Sequence, residues 1–359
     1  MHRHPSVQPD EVSESPLVSV IIPAFDAGTT LDLCLDAVAA SDYRNIEVLV
    51  VFDGRTEQAT EVAASRGVRV IENDRRQGAA YTRNVGAAAA RGEIFFFVDA
   101  DCILNRDAIS IAVRKLRAGH HAVFGSYRSE TRAPGFFSRF KNYQHHFTHQ
   151  NGAPVQTSFW SGCGAITRRA FDAVNGFDVS LQALEDVEFG YALSRRGYQI
   201  ALVKSMRAEH LKVYSLARLI RSDLFARAIP WTQLVRSGRS ELGKLNTGKR
   251  GKRSVFLTGL ALGAIPFEPL AAVALCLAVC ALNAPLLRFI GERRGFAFAS
   301  ASSLALMMHF VVCGVGFIWG HFAARHPWSR TPAPEYEYTE IQPESTVSPP
   351  KQREPARHY

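Results

Sequence analysis

Three observations predict an α/β fold, with a mostly parallel central sheet followed by C-terminal transmembrane helices. Short apolar runs alternate with helical periodicities up to Val203, the pattern of strand–helix–strand units. One run, Phe95-Phe96-Phe97-Val98, is apolar at every position, as a strand buried on both faces requires. Beyond Val255 charge almost disappears. Glu268 is the only charged residue up to Leu287, and residues 296–322 contain no Lys, Arg, Asp or Glu.

The elements follow in order. Met1–Pro16 is polar, carries three prolines and lacks the apolar core of a signal peptide, so it is expected to be disordered. Leu17–Pro23 is a strand stopped by proline. Leu31, Cys34, Leu35 and Val38 keep helical spacing, with Thr29 or Thr30 as cap. Ile46–Val51 is a strand ending in Phe52-Asp53-Gly54. A helix around Glu57–Arg66 and a short strand Val68–Ile71 follow, then an alanine-rich helix over Gly78–Ala90 that Gly92 closes. The Ile94–Val98 strand ends in Asp99-Ala100-Asp101. Parallel strands joined by right-handed crossovers place Asp53 and Asp99 at one edge, where open α/β sheets bind ligands.

Composition narrows the partners. The 359-residue chain, 47% apolar, holds a full α/β domain plus more. Its net charge of +9 is concentrated. From Lys204 to Arg253 thirteen Lys and Arg stand against Glu209, Asp223 and Glu241. Such a block suits nucleic acid or an anionic membrane. The apolar stretches after it select the membrane and exclude nucleic acid. The six cysteines show neither metal-ligand spacing nor a disulfide framework, which fits a reducing compartment.

Asp99 and Asp101, one residue apart, project to opposite faces of an extended chain. A hard divalent cation, Mg²⁺ or Mn²⁺, lets both contribute, because it takes oxygen ligands and substrate phosphates. Four stretches together resemble a family-2 glycosyltransferase with the Rossmann-like GT-A fold. They are Val18-Ser19-Val20-Ile21-Ile22-Pro23-Ala24-Phe25, Val51-Phe52-Asp53-Gly54-Arg55-Thr56, Gly78–Gly86 and Val98-Asp99-Ala100-Asp101. The resemblance implies that Pro23, Ala24 and Phe25 wrap the nucleoside, usually uridine, and that Asp53 accepts from the base N–H. It sends Arg83 towards the base and diphosphate. Asp101 is expected to bind the metal, with Asp99 facing the ribose or a metal-bound water. Two positions depart from the family pattern. Phe52 stands where an acid is usual and Asp26 where asparagine is usual, which loosens the expectation for the base.

The acceptor side lies further on. Asp107–Ala118 reads as a helix and Ala122–Gly125 as a strand. Pro134–Gln150 is aromatic and basic, and its His145, His146 and His149, without carboxylates, read as packing rather than a metal site. Phe159–Ile166 resembles the family's strand beneath the acceptor sugar, with Gly162, Cys163 and Gly164 small enough for close approach. Gly176-Phe177-Asp178, then Glu185-Asp186 and a helix ending at Gly197, resembles the family's second signature. That likeness implies Asp186 as general base, with Glu185 on the acceptor side. An in-line, inverting transfer needs such a group to take the acceptor's proton. The alternative is that both acids only complement a helix dipole. His210 follows a last strand at Ile200–Val203; likeness to some related folds implies it as a third metal ligand, the alternative being a packed histidine.

Residues 211–253 read as a basic, amphipathic interfacial segment. Its Arg227-Ala228-Ile229-Pro230-Trp231 partly resembles the Gln-x-x-Arg-Trp of membrane-bound polysaccharide synthases. Trp231 is suited to stacking on a sugar or to anchoring at the interface. Residues 254–324 read as membrane helices: 254–288 as one kinked span or a hairpin, 296–322 as a span. Two or three crossings follow. Flanking Lys and Arg put the domain at 17–210 on the cytoplasmic face of the cell membrane, and a hairpin would put the tail outside. The tail, 325–359, is expected to be disordered.

The expected protein is a multi-pass, metal-dependent inverting glycosyltransferase. It would carry a sugar from a nucleotide-diphosphate donor, UDP by resemblance, to a lipid, lipid-linked or saccharide acceptor. Two rivals are a processive polysaccharide synthase, which needs more spans for a channel, and a non-catalytic, membrane-tethered sensor of sugar nucleotides.

Overall fold

The computed structural model describes residues 7–240, 245, 248–322 and 339–341. Residues 1–6 and most of 325–359, both expected to be disordered, lie outside the described residues.

The first half alternates as expected: β1 (Val18–Ala24), α1 (Gly28–Ala39), β2 (Ile46–Phe52), α2 (Glu57–Arg66), β3 (Arg69–Glu72), α3 (Ala79–Ala89) and β4 (Ile94–Val98). Then come β5 (Cys102–Leu104), α4 (Ala108–Arg117), β6 (Ala122–Tyr127), α5 (Phe136–Gln150), β7 (Val155–Gln156) and β8 (Cys163–Thr167). After α6 (Arg168–Ala173) and α7 (Glu185–Arg195), β9 runs Ile200–His210, longer than the expected strand. Next are α8 (Leu216–Asp223), a π-helical turn (Leu224–Ala228) and α9 (Ile229–Arg236). The C-terminal helices are α10 (Lys249–Ala264), α11 (Pro269–Leu282) and α12 (Ala284–Phe322), and β10 is Thr339–Ile341.

One sheet unites the strands in the order β10-β3-β2-β1-β4-β8-β6-β9-β5, with β7 on β9. β3, β2, β1 and β4 are parallel, while β8 is antiparallel to both β4 and β6. β4 is the centre. Every residue from Ile94 to Val98 is fully buried, since helices cover both faces. Phe95 and Phe97 pack edge-on with Phe171 and Phe177 on one side. Phe96 and Val98 join the core on the other. α3 approaches β1 closely because Gly86 has no side chain: a Cβ there would lie 2.5 Å from Ile21 Cγ2. Asn84 then ties α3 to the Gly-Phe-Asp loop, donating to Phe177 O (2.8 Å) and accepting from Phe177 N (2.9 Å).

The lead departs from expectation. Residues 7–16 are held on the domain rather than disordered. Ser13 Oγ donates to Glu93 (2.7 Å), the His121 ring meets Gln8 O (3.0 Å), and Asp10 bonds Thr167 and pairs with Arg169.

In the apolar region the chain folds back on itself. α10 and α11 lie side by side about a turn at residues 265–268, and Asn283 Nδ2 closes the open end on Ser254 Oγ (2.9 Å). α12 breaks at Gly295, whose φ of 83° is left-handed. The chain reverses there, since a Cβ on Gly291 would lie 3.5 Å from Ala299 Cβ. The multi-pass expectation finds little support. Among the described residues only Ala284–Phe322 is long and apolar enough to cross a membrane, and Pro269–Leu282 is shorter.

Candidate active site

The carboxyl ends of β1, β2 and β4 and the N-terminus of α7 meet at one cleft, built from three groups of side chains. On the nucleoside side, Phe25 follows β1 and is half exposed, and the Arg76 guanidinium lies 4.0 Å from its ring centroid. Pro23 and Ala24 are β1 residues, Ala24 buried. Asp53, 7% exposed, braces the loop before α3: it accepts from Gln77 N (2.7 Å), Gly78 N (2.9 Å) and Asn73 Nδ2 (3.3 Å). An N–H from a base would have to share these oxygens. Phe52, where an acid is usual, is core, packed with the cluster of Leu31 and Ala59.

At the centre, the buried Arg83 joins two distant acids. Its Nη2 donates to Asp99 Oδ1 (2.8 Å) and its Nη1 to Glu185 Oε1 (2.7 Å). A guanidinium is suited to this, as its planar fork serves two carboxylates at once. The bridge fixes the start of α7 against the end of β4. Leu184, just before α7, is left-handed at φ 59°, a strained setting that aims Glu185 and Asp186. Asp186 is half-buried and accepts from Val187 N (2.7 Å). Burial raises its pKa to about 7, with help from the charges of Glu185 and Asp99 and against the pull of Arg83.

On the third side, His210 ends β9, and its Nε2 stands 3.3 Å from Asp101 Oδ1. Ligand atoms of Asp101, Cys102 and His210 lie within 4.8 Å of one another. Cys102 is fully buried, and burial pushes its thiol well above the ordinary range. The harder donors of the three are the Asp101 carboxylate and the His210 imidazole. Completed by diphosphate oxygens and water, they suit Mn²⁺ or Mg²⁺. Asp99 faces Arg83 instead, but not by strand alternation as expected: Ala100 and Asp101 form a turn beyond β4, closed by Cys102 N donating to Asp99 O (2.9 Å), and this turn parts the two carboxylates.

The acceptor candidates divide. Gly162 borders the cleft: a Cβ there would sit 2.9 Å from Asp99 Oδ2 and 2.6 Å from Trp160 Nε1. Cys163 and Gly164 do not line it. Both belong to β8 inside the sheet, Cys163 is fully buried, and Gly164 is small to admit Phe159. Their expected acceptor contact is thereby corrected. Trp231 lies on α9, half-buried. The histidines of α5 are packing groups, as read: His145 stacks on Tyr127 and His146 Nδ1 meets Tyr127 O (2.7 Å).

Sequence reading missed Arg76, Trp160 and Tyr127. The last two stack at 4.3 Å, and Tyr127 also meets His210 edge-on. Only Arg76 left a signal, in the Arg75-Arg76 pair just before Gly78.

Residues 19–174 match the family model described as glycosyl transferase family 2. The chain is 30% identical over 129 residues to the glycosyltransferase GlyG of Streptococcus pneumoniae serotype 4, covering 34% of this chain and 43% of that protein. It is 35% identical over 97 residues to the glycosyltransferase AglE of Haloferax volcanii, covering 25% and 32%. These matches span less than half the length of either relative. Among solved structures, the mannosyltransferase PcManGT from Pyrobaculum calidifontis, in complex with GDP-Man and Mn²⁺, is 20% identical with a TM-score of 0.49. That match covers 87% of this chain and 90% of that one.

Proposed function

We propose that this chain, whose residues 19–174 form a glycosyl transferase family 2 domain, moves a sugar with inversion from a nucleotide-diphosphate donor, a UDP-sugar by our reading, to a lipid or lipid-linked acceptor at a membrane face. Residues 17–210 form the catalytic domain, 211–253 an interfacial segment and 254–324 a membrane-associated unit. One observation carries the reading. Arg83 ties Asp99, just after β4, to Glu185 at the start of α7, which brings the candidate base Asp186 to the same edge as the Asp101–His210 pair.

The roles follow from position. Phe25 and Arg76 offer a flat, cationic wall for the base, with the loop braced by Asp53 beneath it. Asp101 and His210 would hold Mn²⁺ or Mg²⁺, which supplies charge neutralisation for the leaving diphosphate. Asp186 accepts the acceptor hydroxyl's proton. A base with a pKa near the working pH combines availability with driving force. Glu185 is engaged by Arg83 and positions Asp186. Gly162 lets Trp160 pack beside Asp99, where the ring can face the transferred sugar.

Membrane association is supported by apolar helices beside a basic segment. Phe225 and Leu216 are exposed on the α8–α9 rod, which also carries Arg218 and Arg221. The test is a panel of labelled donors incubated with Mn²⁺ and a membrane extract, followed by mass analysis of the lipid product. Transfer of one sugar is expected from a uridine donor. D186A should lower turnover about 10²–10⁴-fold, the scale of a lost general base, and D101A should lower it by weakening the metal. Wild-type turnover in both variants would sink the mechanism. Donor binding without transfer or hydrolysis would favour a sensor.

A further inference from the structure

We infer that the C-terminal helices lie in the interface of a single leaflet and return, so that the catalytic domain and the segment bearing β10 occupy the same side of the membrane. This rests on the membrane association proposed above and concerns its geometry.

Residues 296–322 measure about 40 Å at 1.5 Å per residue, against a hydrocarbon core of about 30 Å. A crossing helix of that length puts its ends on opposite sides. Here both ends touch elements bonded to the catalytic domain. Near the start, Phe298 packs 4.8 Å from Phe136 of α5. α5 is pinned to the end of β6, Asn142 Nδ2 donating to Arg128 O (3.0 Å) and Ser129 O (2.9 Å). Midway, His309 Nδ1 meets Asp223 Oδ2 at 2.7 Å. The same carboxylate pairs with Lys141 of α5 (2.9 Å) and Arg227 (2.7 Å). Towards the end, a Cβ on Gly316 would lie 2.3 Å from Ala228 Cβ, and Gly320 O accepts from Arg236 Nη1 (3.0 Å). The helix therefore starts against α5 and runs along the α8–α9 rod from His309 to Gly320.

That rod is itself bonded to the domain at both ends. Tyr214 N donates to Ser138 Oγ (2.9 Å) just before it. Arg239, just after it, pairs with Asp178 and with Glu188 (3.0 Å). The long helix is thus a second layer on the catalytic domain, not a stalk leaving it.

A separate observation agrees. Thr339–Ile341 pairs antiparallel with Val70–Glu72 of β3, at the edge of the catalytic sheet. A strand of this sheet cannot lie across a bilayer from the rest.

The occupant of the outer surface is one anionic leaflet. Phe267, Leu270, Phe296, Leu304 and Phe322 are each at least 73% exposed. Lys249, Arg250, Lys252 and Arg253 open α10, placing cations at headgroup level. The α10–α11 hairpin, about 24 Å long, is too short to cross. Lying in the interface, it also keeps Glu268 at its tip within reach of water, where a carboxylate deep in hydrocarbon is costly.

The test uses the full chain with one epitope tag before Met1 and another after Tyr359, in sealed vesicles exposing the catalytic domain. Protease added outside should remove both tags without detergent. A C-terminal tag protected until detergent is added would overturn the inference and leave the membrane reading intact. Failure of the chain to float with vesicles of anionic phospholipid would instead overturn the membrane reading. F267E/L270E, with unchanged circular dichroism, should lower partition onto those vesicles at least tenfold. Unchanged partition would count against leaflet insertion of the hairpin.

Discussion

Asp99 and Glu185 share one guanidinium. Arg83 spans them at 2.8 and 2.7 Å, joining the end of the central strand to the first turn of α7. The three groups form a half-buried ionic triad with one cation for two acids. R83A leaves both acids facing each other without it. Breaking a buried pair costs about 3–5 kcal/mol, and the partial exposure of Asp99 lowers the expectation to about 2–3. R83K keeps the charge but not the fork, so it should fold nearly as well and still lose turnover. Thermal unfolding alongside kcat separates the two effects. A drop in kcat for R83A with no drop in stability would show that Arg83 contacts only the donor.

The triad also sets a pH response. Asp186 works as a base when ionised, and burial with its acidic neighbours lifts its pKa to about 7. kcat/KM should therefore rise with pH through about 7 and level off above it. Arg83 holds this pKa down and Glu185 holds it up. R83A should move the acidic limb to higher pH, and E185Q should move it lower. A profile flat between pH 5 and 8, or limbs that do not move, would remove Asp186 from the proton transfer.

Much of this was legible in the sequence, for a physical reason. The strands at Val18, Ile46 and Ile94 are short, apolar and closed by proline, glycine or acid, so local pattern specified both the elements and the edge they share. That Asp101 and His210 meet was expected only through likeness to related folds; no local pattern shows it, because β5 and β9 pair across the whole domain. Cys163 and Gly164 were misread since small residues serve close packing and ligand approach alike. Here the close neighbour of Gly164 is Phe159. The ordered lead was hidden because single polar contacts, such as Ser13 to Glu93, leave no periodicity.

Metal binding has its own readout. Mn²⁺ titrated into the full chain with UDP, followed by electron paramagnetic resonance, should show tight binding. H210A and D101A should weaken it by roughly 10–100-fold or more, since even residues that only support metal ligands cost that much. C102A should bind as the parent does, because Asp101 and His210 supply the harder donors that Mn²⁺ favours over a thiol. Weakened binding in C102A with intact folding would make the thiol a ligand and point to a softer metal.

The last prediction concerns how α7 is seated. Gly190 lies against the backbone before β8, and a Cβ there would come 2.4 Å from both Phe159 N and Ser158 C. Backbone atoms cannot swing aside as a side chain can, so G190A must push α7 away from the sheet. Overpacking of this kind costs about 1–3 kcal/mol. The displaced helix carries Asp186 at its start, so kcat should fall more than the loss of stability alone explains. Donor affinity should change little, because the nucleoside side is built from β1 and the loop before α3. A fluorescence titration with UDP, beside kcat and a melting curve, gives the three readouts. Equal losses in donor affinity and kcat would mean that the sheet edge, not α7 alone, had moved.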